Sequence, residues 1–446
     1  MAEQTVPDAG VSAVDQVLPP GPTVALALQH LLAAYASLVV TPLVLAAALD
    51  LPAATLTQLI SAALLTSGVC TLIQCLGLGP HIGIRLPVVQ GTTIAAVPAL
   101  ILIGAEHGLT AIFGATLVAG LAAALAAGLW SRLLVLFPPV VTGTVITAIG
   151  ISLLPVAIMW MSGGGAPGAQ VVAPQDMLLG FGSLAIVVLI LRFGHDLLAR
   201  SAILIGLVAG TLLAASFGDV SLARVAAAPW FTIVTPLEFG MPTFPPSACI
   251  AMLLVMLVTM IESTGDYLAI GEVCHEPVEP HDIAAGIRAE GIGTMLGGLM
   301  NSFPFTTFSQ NTGVLRISGV RSRWVVAVTA LFMIGLGLVP KLGALVAIIP
   351  TPVLGGCALV MFGSIAATGM HTLRKVDLED NCNLVVVSVS LGLSLLVIAN
   401  PLFFDGFGAS VKIALGNAIT LAGVSAVSLN ALFSLLRTGS SEVSGP

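Results

Sequence analysis

Two acids four residues apart, Glu262 and Asp266, stand in Met260-Ile-Glu-Ser-Thr-Gly-Asp-Tyr267, inside an otherwise apolar run. That spacing puts both on one face of a helix. Carboxyl groups in a membrane segment are costly and rare without a role, so the pair, beside Thr264 and Gly265, points to a polar cavity. The alternative is a helix that ends early and leaves both acids in water; the apolar run continues through Tyr267-Leu-Ala-Ile-Gly271, which speaks against it. A carboxyl in a dry site favours its protonated form and can hold a proton while donating a hydrogen bond. A third acid, Glu290 in Gly286-Ile-Arg-Ala-Glu-Gly-Ile-Gly293, is a candidate for proton coupling or, with Arg288 close by, for a place at the surface. The adjacent amides Gln310 and Asn311 offer donors and acceptors together. They suit the alternating carbonyl and N–H groups of a purine edge, or they glue helices to one another. Gln29 and His30 form a further polar pair, in which His30 reads as a structural hydrogen-bonder. Arg316 either snorkels to the surface or pairs with a carboxylate, and it is given no substrate role.

The elements that must hold these groups are set by composition. Of 446 residues, 57% are hydrophobic and 8% charged, with a mean hydropathy of +1.10. Soluble domains carry about 25% charged residues, and a soluble core of this size cannot hide so much apolar surface. Membrane-spanning helices need ~20 mostly apolar residues, and such stretches recur along the chain. A β-barrel would alternate apolar and polar residues, which these stretches do not. The expected class is therefore an all-α polytopic membrane protein. A net charge of -7 and no basic run give no sign of a nucleic-acid partner. The six cysteines are scattered without CxxC spacing, as packing residues are, and the seven histidines show no metal-ligand spacing. No cofactor or metal is expected. No HExxH, GxSxG or phosphate-binding loop supports an enzyme.

Fourteen hydrophobic segments are expected, at about 24–49, 55–77, 86–103, 108–130, 133–160, 176–195, 202–217, 246–271, 284–302, 304–319, 323–340, 342–371, 381–400 and 409–436. Residues 1–22 are polar and acidic, with no positive n-region or cleavage site, and read as a loose cytoplasmic tail. With both termini in the cytoplasm, ten of the fourteen Lys and Arg residues fall inside and Arg224, Lys341 and Lys412 outside, with Arg316 within a segment. That bias is the one expected of an inner-membrane topology. Fourteen divides into two sets of seven, and because seven is odd the sets are inverted relative to each other. The third and tenth segments correspond, and each places a proline (Pro87, Pro304) before a glutamine (Gln90, Gln310) and a glycine (Gly91, Gly313). Each should form a short extended piece and then a half-helix, and paired breaks of this kind mark the sites of secondary transporters.

Taken together, these stretches resemble the nucleobase–ascorbate transporters, or nucleobase:cation symporters, over about 23–437, and within them the bacterial urate and xanthine permeases. The resemblance rests on Gln29-His30, on Arg85–Ala95, on Glu262-Ser-Thr-Gly-Asp266, and on Gln310-Asn311-Thr312-Gly313 followed by Val314 to Ser318 and Gly319. It implies a core domain of segments 1–4 and 8–11 (23–130 and 236–340) and a gate domain of segments 5–7 and 12–14 (131–235 and 341–437), with tails at 1–22 and 438–446. It also implies that Glu262 and Gln310 hydrogen-bond a purine base, helped by Asn311, Thr92, Thr93 and Gln29, that Asp266 and Glu290 couple protons alongside Glu262, and that the chain forms a homodimer. The ninth-segment acid is usually Asp, where Glu290 reaches one methylene further, and the motif's Thr is here Ser318. Gln310 fits purine rather than uracil carriers. Urate comes first and xanthine close behind. Alternatives are a symporter of uracil or another nucleobase, an anion transporter of the same fold moving sulfate or bicarbonate, a membrane enzyme and a channel. Carboxylates of this kind serve sodium as well as protons.

Overall fold

The computed structural model describes residues 12–133, 138–163, 172–194, 197–200, 202–218, 220, 222–308, 311, 314–315, 319–346, 348–400, 402–404, 406–407, 415–416 and 418–442. In chain order the helices are α1 (Pro20–Ala48), α2 (Ala53–Leu76), α3 (Val97–His107), α4 (Leu109–Leu133), α5 (Pro139–Met161), α6 (Pro174–Phe193), α7 (Leu197–Arg200), α8 (Ala202–Ser216), α9 (Ala223–Ala227), α10 (Pro246–Cys274), α11 (Pro280–Leu299), α12 (Arg323–Gly337), α13 (Pro340–Val346), α14 (Thr351–Leu373), α15 (Asn381–Ala399) and α16 (Ala418–Glu442). Two three-residue strands, β1 (Gln90–Thr92) and β2 (Phe305–Thr307), pair antiparallel. Seven of these helices are long and apolar enough to cross a membrane. Several start with proline at the first or second position, as α5, α10, α11 and α14 do. There the missing N–H is one the helix could not use.

Lipid is as apolar as these side chains, so helices associate here through close packing rather than water exclusion. Small residues make that packing possible. A Cβ on Gly291 of α11 would lie 2.5 Å from the backbone nitrogen of Ala124, so this glycine lets α11 lie directly on α4. The packing follows a repeated scheme. Helix α4 packs on α11 as α2 packs on α12. Helix α1 packs on α12 as α10 packs on α4. Helix α6 lies against α14 as α15 lies against α5, and α8 flanks α6 as α16 flanks α15. Between these pairs, α5 packs along α14 and β1 along β2. Helices α6 and α15 keep only 22% of their apolar windows buried, which leaves their outer faces to lipid.

Three expectations change. The expected segment 342–371 is two helices, α13 and α14, because Pro350 supplies no N–H to continue the first and caps the second, whose second residue is Pro352. Hydropathy runs through this break unaltered. The expected loose tail is fixed from residue 12. Val14 is buried, its carbonyl accepts from Arg323 N at 2.9 Å, and Asp15 pairs with the Arg323 guanidinium at 2.7 Å. The first helix starts at Pro20 rather than 24. Five of the six cysteines are buried and all are free thiols. Among the described residues no group of His, Cys, Asp and Glu could hold a metal ion.

Candidate functional site

The two breaks meet. Pro87 with Val88 and Val89, and Pro304 with the aromatic and β-branched run Phe305-Thr-Thr307, disfavour helix and leave short extended pieces. They pair as Gln90 with Thr307, Gly91 with Thr306 and Thr92 with Phe305. Backbone bonds from Thr93 N to Pro304 O (2.8 Å) and from Phe308 N to Val89 O (2.9 Å) extend the ladder. Gly91 is required there: a Cβ would stand 2.0 Å from the Phe308 ring. After β1, the Thr93 hydroxyl accepts from Ala95 N and caps the turn that leads into half-helix α3. After β2, Asn311 N bonds back to Phe308 O at 3.0 Å.

Helix α10 presents two faces to this crossing. On one, Glu262 lines a cavity of about 50 Å³ with Thr93, Thr306, Phe308, Ile146 and Ile149 of α5 and Ile365 of α14. Asp266 is half-buried one turn along from Glu262. On the other face, Ser263 and Tyr267 meet Glu290 of α11, which is completely buried. Its Oε2 accepts from Ser263 Oγ (2.6 Å), Tyr267 OH (3.3 Å) and Gln90 Nε2 (3.4 Å). Its Oε1 has no hydrogen-bond partner among the described residues. The surface alternative for Glu290 is therefore corrected: α11 begins at Pro280, so Glu290 lies three turns in, while the Arg288 guanidinium bonds His81 O instead.

This carboxyl is wired to the strands. Ser263 Oγ accepts from Thr307 N at 3.1 Å and lies 3.2 Å from Thr306 Oγ1. Gln90 Nε2 also donates to Thr307 Oγ1 at 3.0 Å. From α2, Gln74 Nε2 donates to Tyr267 OH (2.8 Å) and Gly286 O (2.9 Å), while its Oε1 accepts from Ile84 N at 3.2 Å. Three donors on one carboxyl oxygen fix the group in place, and the second oxygen is the atom open to a proton.

The expected residues divide. Glu262 and Thr93 share the cavity. Glu290 joins the site from behind, through Ser263 and Gln90. Thr92 is buried between them, its hydroxyl without a partner among the described residues. Asn311 Nδ2 lies 3.0 Å from His30 Nδ1 and donates to His30 O at 3.2 Å. Gln29 is half-buried and makes no hydrogen bond to the described residues. Gln310, Arg316 and Ser318 lie outside the described residues. Sequence reasoning overlooked Gln74, Gln90, Ser263 and Tyr267 as members of the site. The one signal available was Gln90, which stands in the broken stretch itself.

A family model described as a permease family matches residues 21–403. The chain belongs to this permease family. The uric acid transporter UacT of Escherichia coli (strain K12) is 43% identical over 424 residues, 94% of this chain and 88% of its own. The uric acid permease PucK of Bacillus subtilis (strain 168) is 41% identical, over 94% of this chain and 97% of its own. The xanthine permease of the same organism is 37% identical, over 93% and 94%. Among solved structures, the transmembrane domain of the cyanobacterial bicarbonate transporter BicA superposes with a TM-score of 0.60 at 17% identity, covering 92% of this chain and 97% of that one. SLC26A9 gives 0.62 at 14% identity, covering 94% and 66%. These two share the fold. The chain is an integral, multi-pass membrane permease and not an enzyme.

Proposed function

We propose that this permease is a proton-coupled secondary active transporter that imports a purine base, urate or xanthine, across the cytoplasmic membrane. The observation that carries the reading is the placement of Glu262 and Thr93 on a cavity between the strand pair and helices α5 and α14, in a chain 43% identical to a uric acid transporter. Its fourteen segments form two inverted repeats of seven, with both termini in the cytoplasm. The mirrored helix pairings support this, since the main contacts of one half recur in the other. The core domain (23–130 and 236–340) carries the strands, α10 and α11. The gate domain (131–235 and 341–437) presents Ile146, Ile149 and Ile365 across the cavity. The working unit is a homodimer.

Glu262 and Gln310 hydrogen-bond the base. Asn311, Thr92, Thr93 and Gln29 flank it, with Asn311 held by His30. Glu290 takes the proton at Oε1, and Ser263 and Gln90 carry the change in its charge to β1 and β2, which the base touches. Asp266, on the same face as Glu262, serves the same coupling. The described lining of the cavity carries a carboxyl and no Lys, Arg or His, which disfavours a sulfate or bicarbonate carrier despite the shared fold.

The test is uptake of radiolabelled urate by proteoliposomes under an imposed proton gradient in sodium-free buffer, with xanthine, uracil and sulfate as competitors. Uptake that collapses with a protonophore, is blocked by xanthine and is lost in Gln310→Ala is the expected result. Xanthine or uracil uptake without urate uptake would correct the substrate, a sodium requirement would correct the ion, and sulfate movement without base movement would overturn the reading.

A further inference from the structure

A second and larger cavity, of about 730 Å³, lies away from the strand pair, at the N-terminal end of α2, the linker before α10 and the start of α13. Its walls are mostly apolar, including Ala54, Ile233, Val234, Phe239 and Pro340. Among its described lining residues the one charged side chain is Glu238. Gln58 Nε2 is already given to Glu238 Oε1 at 3.2 Å, and Asn301 Nδ2 to Thr235 O at 2.8 Å. Asn301 Oδ1, on a side chain only 2% exposed, has no partner among the described residues; the exposed Glu238 carboxylate keeps its second oxygen, and the hydroxyls of Thr232 and Thr235 also stand on the wall. No Lys, Arg or His belongs to the lining. The nearby Lys341 ammonium is turned to Val225 O (3.1 Å), Ala226 O (3.2 Å) and the Trp230 ring. Asn301 is held in the left-handed region, at φ 63°, and its Nδ2 bond to Thr235 O orients the amide.

An apolar chamber whose one charged lining group is a carboxylate, and which holds a buried acceptor without a partner among the described residues, matches a cationic donor on an apolar body. We propose that this chamber binds a protonated primary amine carried on an alkyl chain. The ammonium meets Asn301 Oδ1 and Glu238, and the chain lies along Ile233, Val234 and Phe239. Two sources present that chemistry, a free alkylamine and an aminophospholipid of the surrounding leaflet. The exposed Trp230 and Phe231 beside the chamber are the residues expected at a membrane interface.

Occupancy has a route to the strand-pair site. Asn301 precedes β2 by four residues, and Leu237 N bonds Leu299 O at 3.0 Å, tying the linker to the end of α11. A bound amine clamps linker, α2 and α13 together around Asn301 and slows transport without competing with the base. This last consequence rests on the transport function proposed above; the binding does not.

The experiment uses the full chain in phosphatidylcholine nanodiscs, titrated with decylammonium, decanol and decyl sulfate and read by native mass spectrometry and thermal shift. Decylammonium should bind saturably and roughly tenfold tighter than decanol, as one charge-assisted hydrogen bond predicts. Glu238→Gln should remove that preference, and Ala54→Trp, which fills the chamber, should remove binding while the fold is retained. Equal binding of decanol, or unchanged binding in both variants, would overturn the proposal. In mixed nanodiscs, phosphatidylethanolamine retained by the native chain and lost in Ala54→Trp identifies the lipid as the source; saturable decylammonium binding without lipid enrichment identifies a free amine. Amine binding by a chain that moves no base would keep the chamber and remove only the transport reading.

Discussion

The two halves of the strand-pair site have the same scaffold and opposite chemistry. Helices α2 and α11 are counterparts in the packing scheme, and each carries a long polar side chain, fully buried, toward the centre. On α2 it is Gln74, whose amide is engaged at both ends, with Tyr267 OH and Gly286 O on one side and Ile84 N on the other. On α11 it is Glu290, held by three donors at one oxygen and open at the other. An amide cannot change its charge and a carboxyl can. The first half thus supplies fixed donors and the second half all the acids, Glu262, Asp266 and Glu290. His30, the titratable group that the first half brings here, is itself occupied by Asn311. In the transport reading proposed above, a symmetric frame with the acids on one side would give a proton a defined side on which to act.

The largest effect should come from making the second half resemble the first. Glu290→Gln keeps the shape and removes the ionisation, so gradient-driven accumulation of base should fall roughly a hundredfold or more, the scale of losing a positioned proton-transfer group. Binding of the base to detergent-solubilised protein should stay close to that of the unaltered chain. Persisting accumulation would show that the acid side is not the proton side. The next effect tests the strands, where the halves also differ. Gly91 of β1 yields space to the Phe308 ring that follows β2. Gly91→Val must displace that ring, with an overpacking cost of about 1–3 kcal/mol. Thermal unfolding and uptake should both suffer, whereas Thr306→Val, its partner in register, should leave the ring in place and lose only the contact with Ser263.

How much of this was readable beforehand follows from the range over which each signal acts. The broken segments were legible because a proline, β-branched residues and a glycine act within a few positions of one another, at Pro87–Gly91 and again around Pro304. The Glu262–Asp266 face was legible because helical periodicity is local. The companions of Glu290 were not. Ser263 and Tyr267 lie 27 and 23 residues away in the chain, Gln90 lies 200 away, and only the crossing of β1, α10 and α11 brings them together. A serine, a tyrosine and two glutamines in apolar runs carry no mark of that crossing. The break at Pro350 was hidden for a different reason: hydropathy averages over a window, and a proline among Ile348, Ile349 and Val353 barely alters it. The docking of residues 12–16 was hidden because a polar, acidic stretch reads the same whether it is solvated or laid against Ser322–Trp324.

The smallest expected effect separates positioning from charge. Tyr267 links the two halves, since its hydroxyl accepts from Gln74 and donates to Glu290. Tyr267→Phe removes that link but leaves Ser263 and Gln90 on Glu290, so the carboxyl keeps two of its three donors. One such hydrogen bond is worth about 1–3 kcal/mol when the partner is charged and less when it is neutral. The substitution should therefore act mainly on the charged form of Glu290. Withdrawing a donor from the charged carboxylate favours the protonated acid, so the pH at which uptake is half-maximal should move upward while the maximal rate changes little. Gln74→Leu should move it less, because Gln74 touches Tyr267 and not the acid. An equal fall in rate at every pH in both variants would mean that the Gln74–Tyr267 link serves only packing, and that the fixed half of the site does not sense the acid half at all.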